Sequence, residues 1–143
     1  MVNSQPFYYH LILPSAETQN MFLKLNHQKL DVYQASRSFV LECYKLSKTL
    51  PPGEKFAMVP QIRRAALSVH LNVAEGCSRK SRAERKRYCE IARGSVIEID
   101  AALDIASDLN YFKLEQIEVL GVQMVKCFKL LTGMIASQTA IDG

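Results

Sequence analysis

Residues 61–76, Gln-Ile-Arg-Arg-Ala-Ala-Leu-Ser-Val-His-Leu-Asn-Val-Ala-Glu-Gly, constrain the fold of this chain more than any other stretch. At about 100° per residue, Ile62, Ala66, Val69 and Val73 fall on one line of a helix. Leu67, Leu71 and Ala74 fall on a second line on the other side. Gln61, Arg64, Ser68, Asn72 and Glu75 form a narrow polar stripe between the two. A helix with one partner surface needs one apolar stripe. Two stripes predict two partner surfaces, one inside the subunit and one in a neighbour. A polar stripe with apolar flanks must satisfy its own hydrogen bonds, so this one is expected to set register and partner choice.

The remaining pattern is helical as well. A first helix is expected over Asp31–Thr49, capped by Asp31 with Gln34 closing a capping box. Its buried stripe is Val32, Ser36, Phe39, Cys43, Leu46 and Leu50, and Pro51-Pro52-Gly53 stops it. The second helix starts near Pro60 and ends at Gly76, which is read as a left-handed cap. Ser78 or Ser81 opens a third helix reaching about Leu109, with Tyr88, Ala92, Ser95, Ile99, Leu103 and Ala106 inward and a break at Asn110 or the turn after it. The fourth helix covers about Lys113–Ser137 with Leu114, Ile117, Gly121, Met124, Phe128, Leu131 and Ile135 inward, and residues 138–143 are expected to fray. Residues 1–25 lack a period and read as an N-terminal tail, with an apolar patch at Phe7–Leu13 that could dock locally. Met21 is an alternative start, since the patterned sequence lies after it. Residues 26–143 therefore form one all-α domain, and short connections make it an antiparallel up-down four-helix bundle. Ile91, Ile105, Val119, Val122 and Leu130 lie outside the main stripes. That surplus of apolar surface predicts a homo-oligomer.

Composition bounds the function. No uninterrupted apolar run reaches the roughly 18–20 residues that span a bilayer. The N-terminal apolar patch has no basic flank, so the chain is read as cytoplasmic, with no membrane partner. Cys43, Cys77, Cys89 and Cys127 are widely spaced and show no Cys-x-x-Cys, which predicts buried free thiols rather than a disulfide framework or a zinc site. Net charge is +4, yet residues 79–93 hold seven Lys/Arg and two Asp/Glu, leaving the rest of the chain with eleven basic and twelve acidic residues. The positive charge belongs to one segment.

The ordered motifs Gln61-Ile62-Arg63-Arg64-Ala65-Ala66, Ser68, Asn72-Val73-Ala74-Glu75-Gly76 and Ala92-x-Gly94-Ser95-x-x-Glu98 resemble the signature of the bacterial four-helix-bundle proteins encoded in intervening sequences of 23S ribosomal RNA genes. Leu30-x-Val32-Tyr33 and Leu50-Pro51…Glu54…Phe56 match as well, so the resemblance covers about residues 28–137. Val59 departs from it, standing where the family often has Thr or Ser to cap the second helix. The accessory variability determinant of diversity-generating retroelements is a more distant relative. The resemblance implies a homopentamer with a central channel. The retroelement relative further implies nucleic acid and a reverse-transcriptase-type protein as partners, although a shared fold does not by itself confer a role.

Two constellations could carry chemistry. In the first, Glu98 is expected to be partly buried and paired with Arg64, with Ser68, Asn72, Glu75 and Ser95 completing a polar network. This reads as a structural device fixing helix pairing. An acid/base site is the rival reading, and no nucleophile–base arrangement supports it. Gly94 in mid-helix costs about 1 kcal/mol of helix propensity, which predicts close helix approach there. The second is the basic segment: Arg79, Lys80, Arg82, Arg85, Lys86, Arg87 and Arg93. Arg79, Arg82, Lys86 and Arg93 share a face that Asp100, Asp104 and Asp108 continue, so cations sit at the helix N-terminus and anions at its C-terminus. The helix dipole favours the reverse by roughly 0.3–1 kcal/mol per charge. Charges placed against it point to binding of RNA or DNA phosphates. A solvated face, or one that meets an acidic protein, is the alternative. Tyr88 is the aromatic of this segment and falls on the core stripe, so no base-stacking platform is expected. No Glu-x-x-His pair, phosphate loop or His-Glu-x-x-His occurs, and no cofactor, metal or catalytic residue is expected. His70 reads as a surface residue near Arg63, and Cys77 beside Arg79 as a thiol whose pKa could be lowered.

Overall fold

The computed structural model describes residues 20–142, with side chains to residue 139. Its long helices are α1 (Asp31–Ser47), α2 (Met58–Cys77), α3 (Arg82–Asp108) and α4 (Glu118–Asp142), and no strand occurs among the described residues. Short 3-10 turns at Asn26–Lys29, Pro52–Glu54 and Leu114–Ile117 precede α1, α2 and α4. Each helix packs on two neighbours: α1 on α2 and α4, and α3 on α2 and α4. Cross-helix contacts run antiparallel: Ser36 meets His70 while Ser47 meets Arg63, and Arg85 meets Gln138 while Arg93 meets Thr132. This is the expected up-down four-helix bundle.

The core forms where the stripes converge. Phe39, Cys43, Ile62, Val69, Val73, Val96, Ile99, Cys127 and Leu131 are essentially inaccessible. Each large aliphatic or aromatic member contributes about 1.5–3 kcal/mol through burial. The α1 stripe is buried throughout, from Val32 to Leu50, and so are Ala92, Ser95, Ile99, Leu103 and Ala106 of α3.

The ends differ from expectation in instructive ways. Leu30, not Asp31, occupies the N-cap of α1 without a side-chain bond. Gln34 instead donates to the Gln28 carbonyl at 2.6 Å, while the Gln28 side chain accepts from Asn20 and from the Leu25 amide, tying the incoming chain to α1. The Phe7–Leu13 patch lies outside the described residues. Gly76 is helical, with no left-handed glycine among the described residues. An alanine Cβ there would lie 2.8 Å from the Tyr88 Cβ, so Gly76 serves a close approach of α2 and α3 in place of a cap. Gly94, expected to serve that purpose, has nothing within 4 Å of its missing Cβ inside the subunit. Ser81 caps α3 by accepting from the Glu84 amide at 3.2 Å, and Asn110 ends it in the left-handed region with φ 61°.

In α4 the inward stripe is Leu120, Met124, Cys127, Leu131 and Ile135, whereas Leu114 is 76% exposed and Phe128 lies at the surface. Met124, Leu131 and Ile135 keep their expected places, but the core line is centred on the Leu120 and Cys127 side of them, so Gly121 and Phe128 fall at its edge. The helix continues to Asp142, past the expected end near Ser137, with the Thr139 hydroxyl donating to the Ile135 carbonyl at 2.9 Å. Taken with its preceding turn, α4 is long and apolar enough to cross a bilayer by length and composition. Lys126 and Lys129 interrupt its apolar residues, so the sequence shows no uninterrupted run of that length there. One side of the helix, with Leu120, Met124, Cys127, Leu131 and Ile135, is a wall of the bundle core.

Candidate nucleic-acid interface

The α2–α3 connection and the first turns of α3 bring the basic segment to one end of the bundle. The seven cations divide into two groups. Arg79 pairs with Glu75 at 2.6 Å, donates to the Tyr88 hydroxyl at 3.2 Å and lies over the Tyr88 ring, 5.2 Å from its centroid. Arg85 donates to the carbonyls of Arg79 and Lys80 at 3.0 and 2.5 Å and to Gln138 at 3.3 Å, joining the connection to the end of α4. Arg93 donates to Thr132 at 3.2 Å and covers Phe128, 5.9 Å from its centroid. These three are built into the bundle. Lys80, Arg82, Lys86 and Arg87 make no ion pair or side-chain hydrogen bond among the described residues, and Lys80 and Arg87 are exposed with Arg82 and Lys86 half-buried. Exposed Glu84 and Glu90 lie among them.

The polar stripe of α2 meets α3, but not as one buried network. Asn72 donates to the Ser68 carbonyl at 2.8 Å and to its hydroxyl at 3.1 Å, and Ser95 donates to the Ser68 hydroxyl at 3.0 Å. Glu75 turns instead to Arg79. Arg64 and Glu98 are both exposed and make no direct pair: Gln61 stands between them, accepting from Arg64 at 3.2 Å and donating to Glu98 through a short hydrogen bond. The expected buried ion pair is therefore replaced by a solvent-facing chain at the rim, where no charge has to be desolvated. Nothing in this geometry joins a nucleophile to a base.

The second apolar line of α2 stays at the surface, with Leu67 41% and Leu71 56% exposed. On α3, Ile91 and Ile105 flank the side that meets α2, while Ile97 shares the side of Arg93, which meets α4. Val122, Val125 and Phe128 of α4 extend that second side. Unlike apolar flanks thus lie on either side of α3.

His70 is half-buried against α1 rather than at the surface. Its Nδ1 lies 2.8 Å from the fully buried Ser36 hydroxyl, and its ring packs on Tyr33 at 4.6 Å, pinning α2 to α1. Burial, with Arg37 assisting, pushes its pKa down to about 4. The signal was available: His70 follows Ala66 by four residues and precedes Val73 by three, both on the core line. Burial likewise pushes the thiols up, Cys43 and Cys127 to about 12 and Cys89 to about 11. Cys77 also moves up, through burial, opposite to the lowered value that Arg79 suggested. No group of His, Cys, Asp and Glu suited to a metal occurs among the described residues.

No curated protein matches this sequence. The chain is similar to a solved protein of unknown function from the S23 ribosomal protein family of Bacteroides thetaiotaomicron, at 28% identity, TM-score 0.67, covering 73% of this chain and 97% of that one. A family profile described as 23S rRNA-intervening sequence protein matches residues 28–133. With most of the bundle inside that match, the chain belongs to the 23S rRNA-intervening sequence protein family.

Proposed function

We propose that this protein is a non-enzymatic, cytoplasmic homo-oligomer that binds RNA or DNA through the start of α3. The carrying observation is the group Arg82, Lys86 and Arg87 on α3 with Lys80 in the connection before it, free of acidic partners among the described residues. Cations held in this way neutralise phosphates and release counterions. The family's name, which ties it to ribosomal RNA genes, is consistent with a nucleic-acid setting. A ring of copies, a pentamer as the resemblance implies, would repeat the surface and add avidity. The exposed Leu67, Leu71, Val122 and Val125 support assembly, because a monomer gains nothing by leaving them in water. A reverse-transcriptase-type protein is a further partner on the same resemblance.

The test is fluorescence anisotropy with labelled RNA and DNA at rising salt. Binding should weaken steeply with salt, with a log–log slope of about −3 to −4 per subunit engaged if about four phosphates are neutralised. Arg82→Glu with Lys86→Glu should weaken binding at least about tenfold and flatten that slope. Absence of binding to any nucleic acid at 50 mM salt refutes the proposal. Salt-resistant capture of an acidic protein on the same residues would replace it with the adaptor reading.

A further inference from the structure

Building on the nucleic-acid reading, we infer that the ligand of the α3 surface is a duplex, held by its phosphates and read for no sequence. Three observations carry this. The aromatic rings nearest the cations are already occupied. Arg79 covers Tyr88 and takes its hydroxyl, and Arg93 covers Phe128. Unpaired bases are held chiefly by stacking on free aromatic faces, and this surface offers none among its described residues. Base edges are read by helices that enter a groove and present Asn, Gln or Arg there. Here α3 is packed along α2 and α4, so only an outer arc is presented; it carries no Asn or Gln between 79 and 93, and its free arginines, Arg82 and Arg87, lie about 140° apart around the helix and do not converge on one groove. Glu84 and Glu90 sit among the four free cations and disfavour deep entry between phosphate strands.

What remains is charge neutralisation, and there the duplex wins. Each neutralised phosphate contributes a salt slope of about −0.9 on duplex against about −0.7 on a single strand. Four contacts then separate the two slopes by about 0.8; with the two affinities converging at 1 M, where the ionic contribution vanishes, this amounts to about a tenfold duplex preference at 50 mM. A-form and B-form duplexes share the phosphate chemistry, so the preference applies to both.

The experiment compares the intact protein against labelled 20-nucleotide probes at 50–300 mM salt: duplex RNA, duplex DNA, an unpaired strand of mixed sequence, and scrambled duplexes. The expected result is about tenfold tighter binding of duplexes than of the strand at 50 mM. Scrambled duplexes should agree within about threefold, and Arg82→Gln with Lys86→Gln should weaken all probes alike while circular dichroism shows the bundle intact. Comparing the RNA and DNA duplex arms decides which source the surface favours. Tighter binding of the single strand, or a more than tenfold difference between scrambled duplexes, overturns this inference while leaving nucleic-acid binding standing. Silence from every probe overturns both.

Discussion

Two glycines separate what the subunit needs from what an assembly needs. A Cβ at Gly76 would meet the Tyr88 Cβ at 2.8 Å and the Arg85 carbonyl at 3.6 Å. Tyr88 Cβ is fixed to its own backbone, so it cannot swing away, and α2 and α3 would have to part. Gly76→Ala gains about 1 kcal/mol of helix propensity and loses about 1–3 kcal/mol to overpacking. The net should be a loss of up to about 2 kcal/mol, lowering Tm by several degrees in a domain of this size. Gly94→Ala meets nothing within 4 Å and should gain the full propensity, about 1 kcal/mol. Thermal and urea unfolding followed by circular dichroism, at one protein concentration because assembly stabilises by mass action, reads both. A Gly76→Ala protein as stable as the parent would refute the close-approach argument. Light scattering adds the second readout. Gly94 falls near Ile91 and Glu98 on the α2-facing flank of α3, so a Gly94→Ala protein that stays helical but loses mass places a second copy on that flank.

Acid should find His70 first. Its folded pKa, about 4, lies below the unfolded 6.5, so the unfolded chain binds the proton more readily. Its contribution is complete above pH 6.5 and falls away as pH drops toward 4. Discounted for the exposed part of the ring, the loss should be about 1–2 kcal/mol, and His70→Gln should flatten the stability profile across that window. An unchanged profile would remove His70 from the acid response. Ser81→Ala should cost about 1 kcal/mol by freeing the Glu84 amide, measured as a shift in the urea midpoint at constant slope.

Legibility followed the contrast between faces. In α1 and α3, polar residues interrupt the apolar ones at helical spacing, and the stripes read directly from residue numbers. In α4, Val119, Val122, Val125, Phe128 and Leu130 surround the axis, so no period singles out the side of Leu120 and Cys127 as the core line. The α2 stripe was legible as a direction but not as a set of contacts. Helical angle places Arg64 and Glu98 toward one seam, while the tilt and separation of α2 and α3 decide whether they touch, and that distance admitted Gln61 between them. The basic segment was legible as a charge excess. Which cations were free was not, because Arg85 and Arg93 find their partners on α4, 53 and 39 residues away.

The balance of charge and helix dipole changes once the helices are paired. Counted along α3 alone, all the early cations oppose its dipole. In the antiparallel hairpin, however, the negative C-terminus of α2 lies beside the positive N-terminus of α3, so Arg79 and Lys80 in the connection sit as close to the favourable end as to the unfavourable one. Arg79 and Arg85 also serve local structure, through Glu75 and through the carbonyls of residues 79 and 80. The cations that still oppose a dipole without a structural return are Arg82, in the first turn of α3, and, further along, Lys86 and Arg87. Reversing Arg82 should therefore move two quantities in opposite directions. Arg82→Glu places an anion on the first turn and should stabilise the bundle by about 0.3–1 kcal/mol while weakening phosphate binding. Arg85→Glu should instead destabilise, since two carbonyls and Gln138 lose their donor. If Arg82→Glu destabilises the protein as Arg85→Glu does, Arg82 belongs to the scaffold, and the case for a binding surface contracts to the residues around it.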